Sequence, residues 1–250
     1  MVVPAVLVHG VPDTHHVWDA VRSHLSRTDV VTPSLPGFGC AVPDGFDCTK
    51  EAYAAWLAGV LDAIVADAGG PVDLVGHDWG SLLVQYVGST RPDLVRTWAA
   101  GDGPVDDEYV WHDAAQLFQT PEVGEQVVSA MTAETMAPVL IDAGVPADDA
   151  LAAAGRIDDT MRSSILALYR SAVTVGADWQ PAVEANSRPA LALWATDDPY
   201  VDARYGERLA ARTGGRLVLL EGCGHWWPAQ RPEEVAAILS SFWASASEEL

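Results

Sequence analysis

The apolar run Val72–Val75 leads into Gly76-His77-Asp78-Trp79-Gly80, where two glycines bracket an aspartate. A helix is predicted after Gly80, so the segment has the strand, tight turn and helix of a nucleophile elbow. Glycines suit this turn because neighbouring side chains would obstruct it, and the central side chain is then held exposed. The pattern predicts that the Asp78 carboxylate attacks an electrophilic carbon. The alternative is that Asp78 only caps the next helix.

A carboxylate nucleophile forms an ester, whose hydrolysis needs a general base and an acid that orients the base. His225 is the candidate base, because it lies in a glycine-rich stretch after the last predicted strand. Asp198 and Asp102 each follow a predicted strand, and both are candidates for the acid. The neighbouring Asp197 is assigned to stabilising its turn.

A loop that follows the first predicted strand, His9-Gly10-Val11-Pro12, supplies a second element of this chemistry. In such a fold, backbone N–H groups of this loop and of the residue after the nucleophile stabilise an oxyanion. These are the N–H groups of Val11 and Trp79. The alternative is an ordinary turn that leaves the strand.

The remaining sequence predicts the elements that position these residues. Short apolar runs without alternation indicate strands buried on both faces of a parallel sheet, at 2–8, 30–32, 72–75, 97–100, 190–195 and 217–220. Helical spacing lies between them, at 53–66, 82–89, 203–212 and 233–241. Repeated strand–helix units predict a doubly wound α/β fold.

One long segment lacks any buried-strand pattern and has only helical ones, at 121–131, 133–143, 148–154 and 158–175. We therefore predict a core of residues 1–103 and 188–250 and a helical cap of residues 104–187 inserted between two core strands. Glycine and proline at both junctions favour loops there.

Composition restricts the partners. The 250 residues include 14 Lys and Arg against 35 Asp and Glu, a net charge of −21, which argues against nucleic acid and anionic membranes. Three cysteines do not suggest a disulfide framework, and no Cys/His spacing typical of zinc occurs. Neither a secretory signal nor an apolar run of roughly 20 residues is evident. We expect a cytoplasmic protein that acts on a small molecule.

The chain resembles the α/β-hydrolase superfamily, and within it the soluble epoxide hydrolases with an aspartate nucleophile. Four motifs carry the resemblance: His9-Gly10-Val11-Pro12, Gly76-His77-Asp78-Trp79-Gly80, Trp194-Ala195-Thr196-Asp197-Asp198 and Gly222-Cys223-Gly224-His225-Trp226. The third motif aligns Asp198 with the family's acid. Because the family has two further strands before the His-Gly loop, the resemblance implies a mostly parallel sheet of about six strands. The edge left uncovered is a candidate surface for homo-oligomer formation.

In that family two cap tyrosines bind the epoxide oxygen, and Tyr169 matches the second of them. The first position holds Ala114, which leaves two alternatives: Tyr169 is the single donor, or Tyr109, Trp111 or His112 supplies the second one. A pocket under the cap is expected to be lined by six residues: Tyr109, Trp111, His112, Phe118, Trp179 and Trp226.

The resemblance implies hydrolysis of an epoxide to a vicinal diol, without a metal or organic cofactor. Asp78 would form the ester, Tyr169 would protonate the opening oxygen, and His225 with Asp198 would activate water. Haloalkane or haloacid dehalogenation uses the same ester chemistry but needs indole or amide donors for the halide, and Val11 stands where many dehalogenases carry asparagine. The third hypothesis is a non-catalytic binding protein with this fold.

Overall fold

The structure is a computed structural model that describes residues 3–248, without the side chains of 247 and 248. A six-stranded sheet forms its centre, with every strand parallel to its neighbours and the order β2-β1-β3-β4-β5-β6. The strands are β1 (Ala5–Val8), β2 (Val30–Val31), β3 (Val72–His77), β4 (Val95–Gly101), β5 (Ala190–Ala195) and β6 (Arg216–Leu220). This is the predicted α/β-hydrolase sheet. Residues 1, 2, 249 and 250 of the predicted core lie outside the described residues.

Helices connect the strands and cover the sheet. Outside the β4–β5 connection they are α1 (Asp19–His24), α2 (Lys50–Ala68), α3 (Trp79–Thr90), α10 (Arg204–Thr213), α11 (Trp227–Gln230) and α12 (Pro232–Glu248). Thr49 caps the start of α2, where its side chain accepts the N–H of Ala52, and Gly69 caps the end with a φ of 75° that suits glycine.

The connection between β4 and β5 contains α4 (Asp113–Gln119), α5 (Val123–Ser129), α6 (Ala133–Asp142), α7 (Ala147–Ala154), α8 (Asp159–Ser171) and α9 (Val175–Glu184). Two differences from the sequence analysis concern this segment. Helix α4 was not predicted, and the single predicted helix 158–175 ends at Ser171, after which the chain turns and starts α9 at Val175.

The central strands β1, β3, β4 and β5 are buried on both faces, as their apolar runs predict. The edge strands β2 and β6 differ from the prediction, because they have a neighbour on one side only and leave Val31 and Leu217 exposed. Ala5 and Leu7 of β1 join the apolar cluster that includes Trp18 and α12, whereas Val6 and Val8 join the cluster on the opposite face. That second cluster continues into the helices between β4 and β5, so these helices and the sheet share one apolar interior. Among the described residues, no helix combines the length and hydropathy that crossing a membrane requires.

Candidate active site

The chain turns sharply between β3 and α3. Asp78 has φ 52° and ψ −121°, a conformation that costs a non-glycine residue about 1–3 kcal/mol. Glycines make the turn feasible: a Cβ on Gly76 would lie 2.2 Å from the carbonyl oxygen of Gly80, and one on Gly80 would lie 2.2 Å from that of Val8. The strained turn therefore presents the Asp78 carboxylate at the carboxyl edge of the sheet.

The loop after β1 approaches this carboxylate. The backbone N–H of Val11 donates to Oδ1 of Asp78 over 2.6 Å. Gly10 permits the approach, since a Cβ there would lie 2.3 Å from the same oxygen. His9 fixes the loop, because its Nδ1 donates to the Gly10 carbonyl and its Nε2 accepts the N–H of Leu35.

His225 lies on the other side of the carboxylate, in the loop after β6. Its Nε2 is 3.6 Å from Oδ2 of Asp78, and its Nδ1 is 2.7 Å from Oδ2 of Asp198. Asp198 is itself held by the backbone N–H groups of Tyr200 and Val201, which donate to its Oδ1 over 2.6 and 3.1 Å. The structure thus brings together the three residues that the sequence singled out.

Burial and charge act against each other in this cluster. Burial opposes ionisation of Asp78, but His225 and the Val11 N–H lower the pKa of its carboxyl group. Burial likewise opposes a charge on His225, yet the carboxylates of Asp198 and Asp78 raise its pKa well above the ordinary value. The pKa of Asp198 is lowered, against burial, by its contacts with His225 and the backbone.

A buried histidine on β3, His77, holds the backbone of the candidate base His225. Nε2 of His77 donates to the backbone carbonyl of His225 over 2.8 Å, and burial lowers the pKa of His77 to about 4, so the ring is neutral. The sequence placed His77 only within the elbow motif. His77 and His225 are 148 positions apart, and no local sequence pattern indicates that they are in contact.

A cavity of about 120 Å³ opens above the carboxylate of Asp78. Of the six residues expected around a substrate pocket, five line it: Tyr109, Trp111, His112, Phe118 and Trp226. Tyr169 and Trp79 also line it.

Trp179, the sixth expected pocket residue, does not line the cavity, so that prediction is wrong. Its ring stacks on Tyr86 at 4.3 Å, because the turn between α8 and α9 directs it toward α3. The sequence analysis also missed Tyr200, which follows β5 and contacts the His225 ring edge-on at 5.1 Å.

Tyr169 is fixed by aromatic neighbours. Its ring centroid lies 5.4 Å from Trp79, 5.3 Å from Trp111 and 5.2 Å from Phe118. Burial, followed by the charge of Asp78, raises the pKa of the Tyr169 phenol well above its ordinary value. The phenol is therefore protonated in the resting site.

The indole N–H groups around the cavity differ in availability. Nε1 of Trp111 donates to the carbonyl of Ala172 over 3.1 Å, and Nε1 of Trp226 donates to Oδ2 of Asp13 over 3.1 Å. Nε1 of Trp79 is buried and has no hydrogen-bond partner among the described residues.

Comparisons with known proteins agree with this architecture. Residues 5–238 match the profile of the Alpha/beta hydrolase family. The chain is 26% identical over 244 residues to lipase LipV of Mycobacterium tuberculosis, covering 94% of this chain and 90% of the lipase. It is 25% identical over 289 aligned positions to epoxide hydrolase A of the same organism, covering 95% and 89%.

Two solved structures share the fold. An esterase from Thermogutta terrifontis superposes with a TM-score of 0.78 and 22% identity, covering 98% of this chain and 91% of the esterase. The haloalkane dehalogenase DbeA from Bradyrhizobium elkani gives a TM-score of 0.75 and 21% identity, covering 97% and 91%.

Proposed function

Since the chain belongs to the alpha/beta hydrolase family, we propose that it hydrolyses an epoxide to a vicinal diol through an alkyl ester on Asp78. The observation that carries the proposal is the carboxylate at the elbow, 2.6 Å from the N–H of Val11 and 3.6 Å from Nε2 of His225, in a cavity shared with the phenol of Tyr169.

The type of nucleophile favours attack at a saturated carbon. If a carboxylate attacked a carboxylic ester, the tetrahedral adduct would expel the carboxylate again, because it is a far better leaving group than an alkoxide. Displacement at an sp³ carbon gives a stable alkyl ester instead. This distinction separates the proposed reaction from the acyl transfer suggested by the names of the lipase and esterase relatives.

In the first step an oxygen of Asp78 forms a bond to a ring carbon while the carbon–oxygen bond of the epoxide breaks. The leaving oxygen takes the proton of the Tyr169 hydroxyl, because an alkoxide is too basic to leave unprotonated. The products are a hydroxyalkyl ester of Asp78 and a tyrosinate.

Alkylation also removes a negative charge that acts on two other groups. In the resting site the Asp78 charge contributes to the raised pKa values of both Tyr169 and His225. Once Asp78 becomes a neutral ester, both pKa values fall. Tyr169 thereby becomes a stronger acid as the ring opens, and His225 loses its proton more readily before it must act as a base.

In the second step His225, oriented by Asp198, takes a proton from water as the water attacks the ester carbon. The oxyanion develops on the oxygen nearest Val11, whose N–H already binds the carboxylate, and Trp79 supplies the second N–H. Collapse releases the second diol oxygen, which takes the proton from His225. The proton left on the Asp78 carboxyl group restores the phenol of Tyr169.

The origin of the product oxygen tests this mechanism. With enzyme in excess over styrene oxide in ¹⁸O-water, the first turnover gives unlabelled diol, because the new oxygen comes from Asp78. The label then appears in Asp78, as measured by peptide mass spectrometry. Labelled diol in the first turnover contradicts an ester intermediate.

Intact mass gives an independent test. The His225→Gln variant accumulates a protein adduct with the mass of the epoxide, whereas the Asp78→Asn variant forms none. Absence of an adduct with every epoxide and halide tried favours the non-catalytic binding protein.

Dehalogenation is a second candidate, and one observation favours it: the unpartnered indole N–H of Trp79 beside the cavity can bind a halide. Halide binding also requires a second N–H donor, and neither of the two tryptophans considered for it is well placed. Trp111 donates its N–H to Ala172, and Trp179 lies outside the cavity. Parallel assays of diol from a short epoxide and bromide from a short bromoalkane separate the two reactions. Release of bromide that is lost in Trp79→Phe, with no diol, supports dehalogenation.

A further inference from the structure

A second cavity lies next to the catalytic one. It has a volume of about 110 Å³, and it reaches the surface, because its lining includes the exposed residues His16, Asp19 and Asp149. Among the described residues, two line both cavities, Pro12 and Trp226. The proposed reaction uses no group of the second cavity, so its position beside the reacting atoms needs an explanation.

The two cavities are separated by a thin wall. Helix α6 borders both, with Met136 and Val139 on the catalytic side and Leu140 on the other side. The cavities therefore lie side by side along the same helix. Pro12 and Trp226 stand between them, and Trp226 has the larger side chain of the two.

The indole of Trp226 is fixed in this wall. The residue is buried, and its ring lies edge-on to His225 at 5.0 Å and to Tyr200 at 6.0 Å. On the far side Nε1 donates to Oδ2 of Asp13 over 3.1 Å, and Asp13 lines the second cavity but not the catalytic one. The indole thus extends from the candidate base to a carboxyl group of the second cavity.

Such a wall restricts how long a substrate can be. An alkyl chain that points from Asp78 toward Trp226 gains up to about fourfold in affinity with each CH₂ group that it buries. Once the chain reaches the indole, a further CH₂ group must displace the ring, which breaks the hydrogen bond to Asp13, or turn back toward solvent. The gain in affinity then ends.

We propose that Trp226 sets the upper length of the substrate by closing the catalytic cavity toward the second cavity, and that without its indole the two cavities form one passage. Pro12 stays in place at the side of this passage, and the second cavity then holds the end of a longer chain. That the chain belongs to an epoxide rests on the proposed function, whereas the barrier between the cavities does not.

Binding of 1-alkanols, from butanol to decanol, tests the barrier without any reaction. Isothermal titration calorimetry of the wild-type protein should show an affinity that rises with chain length and then levels off. In Trp226→Ala the rise should continue to longer chains, by up to about fourfold per added CH₂ group. Trp226→Leu is measured alongside, because leucine keeps an apolar side chain in the interior and still opens the wall. The same limit in all three proteins, or no binding to any of them, overturns the proposal.

A substitution that fills the second cavity is the control. Ala153 of α7 lines that cavity, is half-buried and does not line the catalytic one. Ala153→Leu alone should leave the wild-type limit unchanged. Combined with Trp226→Ala, it should return the limit to shorter chains, because the chain then has no room beyond the former wall. A gain that survives in the double variant comes from a larger catalytic cavity alone and contradicts a joined passage.

Turnover of 1,2-epoxyalkanes, from epoxybutane to epoxydecane, connects the wall with the proposed reaction. In the wild type kcat/KM should peak near the chain length at which alkanol binding levels off, and in Trp226→Ala the peak should move to longer chains. If no epoxide is hydrolysed while alkanol binding shows the limit, the proposed function is wrong and the barrier stands. If both proteins hydrolyse epoxides with the same preference for chain length, Trp226 does not set that length.

Discussion

The backbone N–H of Val11 donates to Oδ1 of Asp78 over 2.6 Å, so one carboxylate oxygen is already bound before a substrate arrives. In the proposed mechanism Oδ2, 3.6 Å from Nε2 of His225, is the attacking oxygen. Oδ1 would then become the ester carbonyl oxygen and carry the negative charge when water attacks. The proposed reaction would thus use the same N–H to orient the nucleophile and to stabilise the oxyanion, without rearrangement.

The two half-reactions should respond differently to pH. The pKa of Asp78 is lowered, so its carboxylate should attack even in mild acid. His225 must be neutral to act as the base in the ester, where the Asp198 carboxylate still raises its pKa although the charge of Asp78 is gone, so the base is lost as pH falls. At about pH 5, below the ordinary pKa of histidine, alkylation continues and hydrolysis fails. Intact mass spectrometry should therefore show more alkylated enzyme at pH 5 than at pH 8. An adduct that accumulates only at alkaline pH contradicts this assignment.

Substitution of Tyr169 by phenylalanine tests the proton donor. We expect epoxide opening to slow by about 10²–10⁴-fold, the usual contribution of a positioned acid. Displacement of bromide from a bromoalkane needs no proton and should not slow to the same extent. Tyr86→Phe is the matched control, because Tyr86 stacks on Trp179 outside the cavity. Equal losses with both substrates indicate that Tyr169 only shapes the pocket.

How far the sequence predicts this site depends on whether the signal is local. Asp78 and His225 stand in glycine-rich turns at strand ends, and these turns form within a few residues of chain. Asp198 could be separated from Asp102 only by resemblance, because both follow a strand. The structure explains the ambiguity: Asp198 contacts Nδ1 of His225 at 2.7 Å, and a carboxylate oxygen of Asp102 lies within 4.8 Å of a ring nitrogen of the same histidine.

The cap was less predictable, because its pocket forms between separate helices. Trp179 was misplaced because it lies on α9, a helix separate from the one that carries Tyr169, and the packing of α9 against α3 places its ring on Tyr86. Tyr200 was missed because it lies in an irregular loop, and only tertiary packing places its ring against His225.

The glycine of the elbow gives a prediction about folding. Gly76→Ala would place a Cβ 2.2 Å from the carbonyl oxygen of Gly80, so the turn must shift. We expect the free energy of unfolding to fall by at least the roughly 1–3 kcal/mol that overpacking a core costs. Gly59→Ala is the matched control. Gly59 lies within α2 with nothing within 4 Å of an added Cβ, and alanine there should stabilise the helix by up to about 1 kcal/mol. Thermal or urea unfolding measures both, and similar effects of the two substitutions contradict the packing at the elbow.

Asp13 should make stability depend on pH. Burial, followed by the charge of Asp78, raises the pKa of Asp13 from 3.8 to about 6. A raised pKa means that its contribution to stability is fully present below pH 3.8 and is lost as pH rises through about 6. The loss approaches roughly 3 kcal/mol at higher pH. Asp13→Asn keeps an oxygen for the indole N–H of Trp226 and removes the titration.

The free energy of unfolding of Asp13→Asn, relative to wild type, should therefore rise between about pH 4 and pH 8, as measured by urea titration at each pH. Asp47→Asn is the control of opposite sign. Hydrogen bonds from Thr49 lower the pKa of Asp47, so its contribution is present at neutral pH and is lost as pH falls. Relative to wild type, the free energy of unfolding of Asp47→Asn should therefore be lower at pH 8 than at low pH. Parallel pH curves for wild type and Asp13→Asn would show that the Asp13 carboxyl group is not buried as the structure has it.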